Sequence, residues 1–180
     1  FRFYLNVIGA PALSLKDFAG YKQNTIIGLS LAITAPVGQY DSQKLVNIGS
    51  NRWSFKPEVG LSKALGPLTL ELAAGAYFFT DNEEPFQGND LQQAPIYAIQ
   101  GHAIYSFGKG FWGSLDTNYY FGGQMTKDGV TSGQSQANWR LGATFTIPLS
   151  RRNSVKIYGN TGIYSRTGSN FDTIGILWQY

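Results

Sequence analysis

The stretch from Arg52 to Lys63, RWSFKPEVGLSK, decides how the chain is read. From 53 to 61 the odd positions are Trp53, Phe55, Pro57, Val59 and Leu61. The even ones are Arg52, Ser54, Lys56, Glu58, Gly60 and Ser62. A period of two places these sets on opposite faces of a β-strand, one apolar and one polar. Asn138 to Pro148 repeats the pattern, with Trp139, Leu141, Ala143, Phe145 and Ile147 against Asn138, Arg140, Gly142, Thr144 and Thr146. Seven further segments read as strands: about 1–9, 24–38, 67–80, 94–107, 111–123, 154–167 and 171–180. Helical spacing is confined to Ala12–Tyr21, where Leu13, Leu15, Phe18 and Tyr21 suit a short amphipathic helix or a packed loop. Pro57 removes a ladder hydrogen bond and predicts a bulge or local distortion.

Composition narrows the class. In 180 residues, charged side chains make up 14% and aromatics 15%, and there are 22 Gly and no Cys. Ordinary soluble domains carry about 25% charge. Abundant aromatics and a net charge of only +3 exclude disorder. Absent cysteine excludes disulfide frameworks and thiolate sites. The longest apolar stretch, near Ile26–Val37, is interrupted by Gly28, Ser30 and Thr34 and falls short of a membrane helix. The basic residues form no run, so nucleic acid is not an expected partner.

The connections alternate in length. Ala64–Gly66, Gly108–Gly110 and Ser150–Asn153 are short, whereas 39–50, 81–93 and 124–136 are long and polar. Tight turns on one side and long loops on the other are the pattern of an outer-membrane β-barrel. The expected fold is therefore all-β, an antiparallel transmembrane barrel forming one domain over 1–180. Nine strands are counted, with the first and last running in the same direction. Single-chain bacterial barrels usually have an even number, so ten to twelve strands are expected in the full chain. With no initiator Met and no signal peptide, the segment is expected to be the C-terminal part of a longer precursor. The last strand ends on Trp178 and Tyr180 and resembles the signal that bacterial barrels present to their assembly machinery.

Periodicity does not say which face meets lipid, but residue choice does. The apolar faces carry rings towards their ends: Trp53, Phe55, Phe78, Phe107, Phe111, Trp139 and Trp178. Such rings favour a membrane–water interface. The polar faces are rich in Tyr, Gly, Asn, Ser and Thr rather than Lys and Glu, as suits a lumen. The expected location is the bacterial outer membrane, in contact with lipid and lipopolysaccharide. The alternative is a soluble lipocalin-like barrel.

Three stretches carry a family resemblance: GAPALSLKDFAGYKQNTIIGLSLAITAPVGQYD (9–41), NIGSNRWSFKPEVGLSKALGPLTLELAAGAYFFTDN (47–82) and LGATFTIPLSRRNSVKIYGNTGIYSRTGSNFDTIGILWQY (141–180). Together they resemble the bacterial MetA-pathway of phenol degradation family, whose members are often labelled transporters. TAPVGQYD and NRWSFKPEVGLS are the most specific parts. The resemblance implies an outer-membrane β-barrel admitting small aromatic or hydrophobic compounds, with no catalytic motif, no cofactor and no defined functional residues to carry over.

On the predicted lumen face lie the bases Arg2, Arg52, Lys56, Arg140, Lys156 and Arg166 and the acids Glu58, Glu71 and Asp116. Tyr77, Trp112, Tyr120, Tyr158 and Tyr164 accompany them. The basic excess either favours anionic solutes, or the charges pair across strands and, with the rings, fill the lumen. His102 is the only histidine. Across the turn at Gly108–Gly110, residues whose numbers sum to about 218 should face each other, placing His102 opposite Asp116 and Ile104 opposite Ser114. A Ser114–His102–Asp116 hydrolase is geometrically conceivable, but a structural His–Asp hydrogen bond is the simpler reading. The loop at 81–93 holds Asp81, Glu83, Glu84 and Asp90. It could meet divalent ions at lipopolysaccharide, but it lacks EF-hand spacing and reads as solvated. A zinc site needs more His or Cys than the chain has. Three functions follow: a passive channel for small solutes, a structural or adhesive barrel with a plugged lumen, and an integral lipid hydrolase.

Overall fold

The period-two segments pair into one antiparallel sheet, followed here in a computed structural model that describes residues 1–18, 20–168 and 170–180. The strands are β1 (Arg2–Ile8), β2 (Thr25–Thr34), β3 (Ser54–Leu65), β4 (Leu68–Phe79), β5 (Leu91–Gln93), β6 (Ile96–Gly108), β7 (Phe111–Gly122), β8 (Met125–Lys127), β9 (Val130–Thr131), β10 (Gln136–Pro148), β11 (Ser154–Ser165) and β12 (Thr173–Gln179). Nine of them form the main sheet, in the order β1-β2-β3-β4-β6-β7-β10-β11-β12. The remaining three, β5, β8 and β9, form a small sheet among the long loops. This second sheet was not expected from the sequence. Its strands are two or three residues long, too short for a legible alternation.

The nine expected strands are present, but the sheet is open and not a closed barrel. β1 and β12 are its edges, with no partner on their outer sides among the described residues. The odd strand number gives the physical reason. In an antiparallel series of nine, the first and ninth strands run the same way. Joining β1 directly to β12 would make a parallel pair and break the ladder pattern.

Local chemistry sets the turns. Lys109 (φ 53°) and Gly110 (φ 85°) both adopt left-handed conformations between β6 and β7, the geometry of a tight hairpin. Pro57 behaves differently from expectation. Register is kept on both sides of it, with Leu31 opposite Pro57 and with Phe55–Phe78 and Glu58–Gly75 in step. The ladder to β4 is simply interrupted at positions 56 and 57, so a missing N–H opens the ladder without inserting a residue. The weak helical signal becomes a single turn, Leu15–Phe18. Ser14 caps it, its Oγ accepting from the Asp17 N–H at 3.2 Å and donating to the Asp17 carboxylate at 2.6 Å.

Burial inverts the order of a soluble domain. The only fully buried hydrophobic residue among those described is Ala98, while Leu115 is 69% and Ile174 84% exposed. Lys56, by contrast, is 8% exposed. Along β10 the apolar Trp139, Leu141, Ala143 and Phe145 are exposed, and Arg140, Gly142, Thr144 and Thr146 are more shielded. The sheet therefore has an exposed apolar face and a shielded polar one, called the inner face below.

Candidate functional site

The inner face gathers most of the expected site residues. Cross-strand register aligns Glu58, Gly75, Ala98, Tyr120 and Asn138 in one row. A second row runs Ser62, Glu71, His102, Asp116, Gly142 and Asn160. Lys56 Nζ lies 2.6 Å from Glu58 Oε2, and Gln100 donates to the same oxygen at 3.3 Å. Glu71 accepts from Ser62 at 3.0 Å, and Ser62 accepts from Gln23 at 2.7 Å.

His102 and Asp116 are cross-strand partners, with Nδ1 2.6 Å from Oδ1. Ser114 faces Ile104, as the hairpin register requires. The Ser114 hydroxyl donates to the other carboxylate oxygen of Asp116, at 2.9 Å. A catalytic triad needs the hydroxyl on the imidazole, so that the ring can take its proton. Here the serine sits on the acid, and the carboxylate is the hub of a structural cluster.

Four inner-face bases each lie over an aromatic ring. Arg52 is 4.5 Å from the Phe79 centroid, Lys56 5.1 Å from Tyr77, Arg140 4.0 Å from Phe171 and Lys156 5.2 Å from Trp112. Arg140 also donates to Asn160 and, at 2.7 Å, to the Phe171 carbonyl. Tyr77 and Trp112 were expected on this face, though not as partners of particular bases, whereas Phe79 and Phe171 were not expected there. Arg140, Asp116, Asn118, Thr144, Tyr158 and Asn160 surround a polar hollow of about 270 Å³. Tyr158 covers Gly175, where an added Cβ would fall 2.4 Å from its hydroxyl.

Two expected residues leave this face. The register of β10 and β11 shifts between Trp139 and Arg140, so that Tyr164 pairs with Trp139 and Gly162 with Arg140. The extra residue, a bulge, reverses the alternation beyond it. Tyr164 therefore shares the exposed face of Trp139, not the inner one. Arg166 lies past the end of β11, and its guanidinium donates to Ser135 at 3.2 Å in a long loop. A bulge of this kind leaves no mark in a period-two pattern.

On the exposed face, rings collect at both ends of the strands. Trp53–Phe55, Tyr97–Phe121 and Tyr119–Phe121 pack at the long-loop end. Tyr105–Phe107 and Phe107–Phe145 pack at the short-turn end. From Tyr97 to Phe107 the strand advances about 33 Å at about 3.3 Å per residue. Tilted by about 40°, that is a band about 25 Å tall.

The long loops are organised around Asn82, which is 3% exposed. Its Oδ1 accepts from Asn51 at 3.0 Å and its Nδ2 donates to the Tyr40 hydroxyl at 3.0 Å. Asp128 accepts the N–H groups of Asn89 (2.8 Å) and Asp90 (3.0 Å). These bonds, that from Asn89 first, hold its carboxyl below the usual range. Asp41 is lowered likewise, first by the Gln43 N–H and then by Lys44. The acidic loop at 81–93 is thus partly ordered through β5 and Asp128, and no cluster of metal-ligating residues is present among the described residues.

A family model described as "Putative MetA-pathway of phenol degradation" matches residues 6–178. No curated protein matches the chain. Among solved structures, an outer membrane channel from Pseudomonas putida F1 is similar with a TM-score of 0.75 at 20% sequence identity. The match covers 87% of this chain and 59% of that one, so the chain spans about three-fifths of the solved channel.

Proposed function

The chain belongs to the family described as "Putative MetA-pathway of phenol degradation", and from that footing we propose that it is wall of an outer-membrane β-barrel acting as a passive channel for small aromatic or hydrophobic compounds. One observation carries the reading: the apolar face is the exposed one, and the charged face is shielded. In water that arrangement leaves large apolar area unburied, which a soluble monomer does not tolerate. In a bilayer it is the ordinary state of a barrel wall. The two aromatic bands lie about 33 Å apart along the strand, a separation that becomes the height of a barrel's lipid-facing belt if the strands take the usual barrel tilt.

On this reading the exposed face meets lipid and lipopolysaccharide, and β12 is the segment handed to the barrel-assembly machinery. A fully antiparallel closure would place an odd number of further strands between β1 and β12. The inner-face residues Arg52, Lys56, Glu58, Glu71, His102, Asp116, Tyr120, Arg140, Lys156 and Tyr158 line the passage. No reaction is assigned to it, since Ser114 donates to Asp116 rather than to His102. A second reading, a barrel plugged by its own side chains, is favoured by the Lys56–Glu58 and His102–Asp116 pairs. Planar-bilayer recording of the full-length protein separates the two. Discrete conductance steps support the channel, and a silent but folded protein supports the plugged barrel.

A further inference from the structure

A cavity of about 440 Å³ lies among the long loops, a volume within the range of small-molecule sites. Three loop segments build it. Tyr40 and Lys44 come from the β2–β3 connection, Phe86 from the segment before β5, and Lys127 from β8, while Arg52 closes it on the sheet side. Three of its lining residues are cations and none is a carboxylate.

The charge is only partly matched. Lys44 pairs with Asp41 at 3.2 Å. Neither Arg52 nor Lys127 has a carboxylate within ion-pair distance among the described residues. Lys127 donates to the Phe86 carbonyl at 2.7 Å. Arg52 donates through Nη2 to Gln93, but its buried Nη1 has no partner. Nη1 is covered by protein, so its unmatched charge acts on the cavity as a field and not as a direct contact.

The walls are held in place before any ligand arrives. Asn82 ties Asn51 to Tyr40, and the Tyr40 hydroxyl donates to the Glu84 carbonyl at 2.8 Å. A pre-formed site loses little affinity to loop ordering. Cations without acids call for an anion, and Tyr40 and Phe86 with apolar neighbours call for a ring. With Arg52 acting only as a field and Lys44 paired to Asp41, Lys127 is the one ammonium in the lining left for direct ion pairing, which suits a single carboxylate. Beneath the cavity the same pairing of base and ring recurs at Lys56–Tyr77, Arg140–Phe171 and Lys156–Trp112.

We propose that the long-loop cavity is a capture site for monocyclic aromatic carboxylates, delivering them to the cation-and-ring series of the inner face. The delivery rests on the channel reading, but the capture does not require an open pore. Lys44 and Lys127 raise the local concentration of the anion, and Arg52 marks the passage inward.

The test uses the full chain in detergent micelles at neutral pH, with equilibrium dialysis of labelled benzoate. Saturable binding is expected, with benzamide, the neutral analogue of similar shape, displacing it at least about tenfold more weakly. Arg52→Gln should weaken benzoate about tenfold and leave benzamide unchanged. Lys63→Gln, a cation outside the cavity, should change neither. Benzamide competing as well as benzoate overturns the proposal, whatever the variants do. So does displacement by inorganic phosphate equal to that by benzoate, which would mark a general anion trap suited to lipid headgroups. Should Arg52→Gln not fold, Lys127→Gln replaces it with the same expectation. Benzoate binding without bilayer conductance supports the capture site and removes the channel reading. Conductance without benzoate binding does the reverse.

Discussion

Asp116 serves two donors, the His102 ring at 2.6 Å and the Ser114 hydroxyl at 2.9 Å. Removing it strands both. The pair is about a quarter exposed on its side chains, so water blunts the loss. Asp116→Ala is expected to destabilise by about 1 kcal/mol, and a double-mutant cycle with His102→Ala should return a coupling of about 0.5–1 kcal/mol. Urea unfolding of the full-length protein in vesicles reads both values, and a coupling of zero would leave the short contact without energetic meaning. Gly75 is constrained by space instead. A Cβ there would sit 2.7 Å from the Pro57 carbonyl and 3.1 Å from the Glu58 Cβ. The close approach occurs where Pro57 has already interrupted the ladder. Gly75→Ala should therefore cost about 1–3 kcal/mol in the same assay, and an unchanged midpoint would mean that β3 and β4 separate freely here.

At the scale of elements, hairpins fix the register and loops fix the mouth. The β8–β9 turn places Asp128 (φ 49°) and Gly129 (φ 77°) in left-handed conformations. This suits an Asp-Gly hairpin and turns the Asp128 carboxylate onto the Asn89 and Asp90 amides. Its pKa is lowered in the folded chain, so the sign of the linkage is set. The stabilisation is complete above the unfolded aspartate value, about 3.9, and disappears as pH falls through the lower folded value. The group is fully exposed, so the effect is local order and not global stability. At neutral pH, Asp128→Ala should abolish hydrogen-exchange protection of the Asn89 and Asp90 amides. Asp128→Asn, which keeps a neutral acceptor, should reduce it less. Equal protection in all three proteins would show that β5 is held by its pairing with β8 alone.

For the whole molecule, the decisive property is which face is wet. Cysteines placed at Val59, Leu115 and Ile157 on the exposed face should react with membrane-soluble maleimides in vesicles. Cysteines at Glu58, Arg140 and Lys156 should react with water-soluble ones. The reverse pattern would make the protein a soluble barrel with its sheet turned inside out. The prediction belongs to this scale because no single residue decides it. Val59 and Glu58 are adjacent in sequence and alternate to opposite faces, and only the assembled sheet decides which of those faces is shielded.

Much of this was legible in one dimension. Side-chain alternation has a period of two whatever the tertiary context, so nine strands, their faces and the antiparallel order follow from local sequence. A bulge between Ser106 and Gly108 flanks the two-residue turn and sets number sums of 218 along β6 and β7; taking Gly108–Gly110 as a three-residue turn gives the same sums, which is why His102 and Asp116 could be paired from their numbers alone. Tyr164 and Arg166 were misplaced because a bulge is one unpaired residue in an otherwise regular run. Its cost and benefit lie in the partner strand, not in its own sequence. The small sheet of β5, β8 and β9, the Asn82 network and the loop cavity were invisible for a related reason. They join residues some forty positions apart, as Tyr40 and Asn82 are, through contacts that leave no periodic trace. The odd count, which leaves β1 and β12 running the same way, was already legible in the sequence, but that the sheet stays open along these two edges is a property of the tertiary structure, because strand pairing is a contact between distant segments.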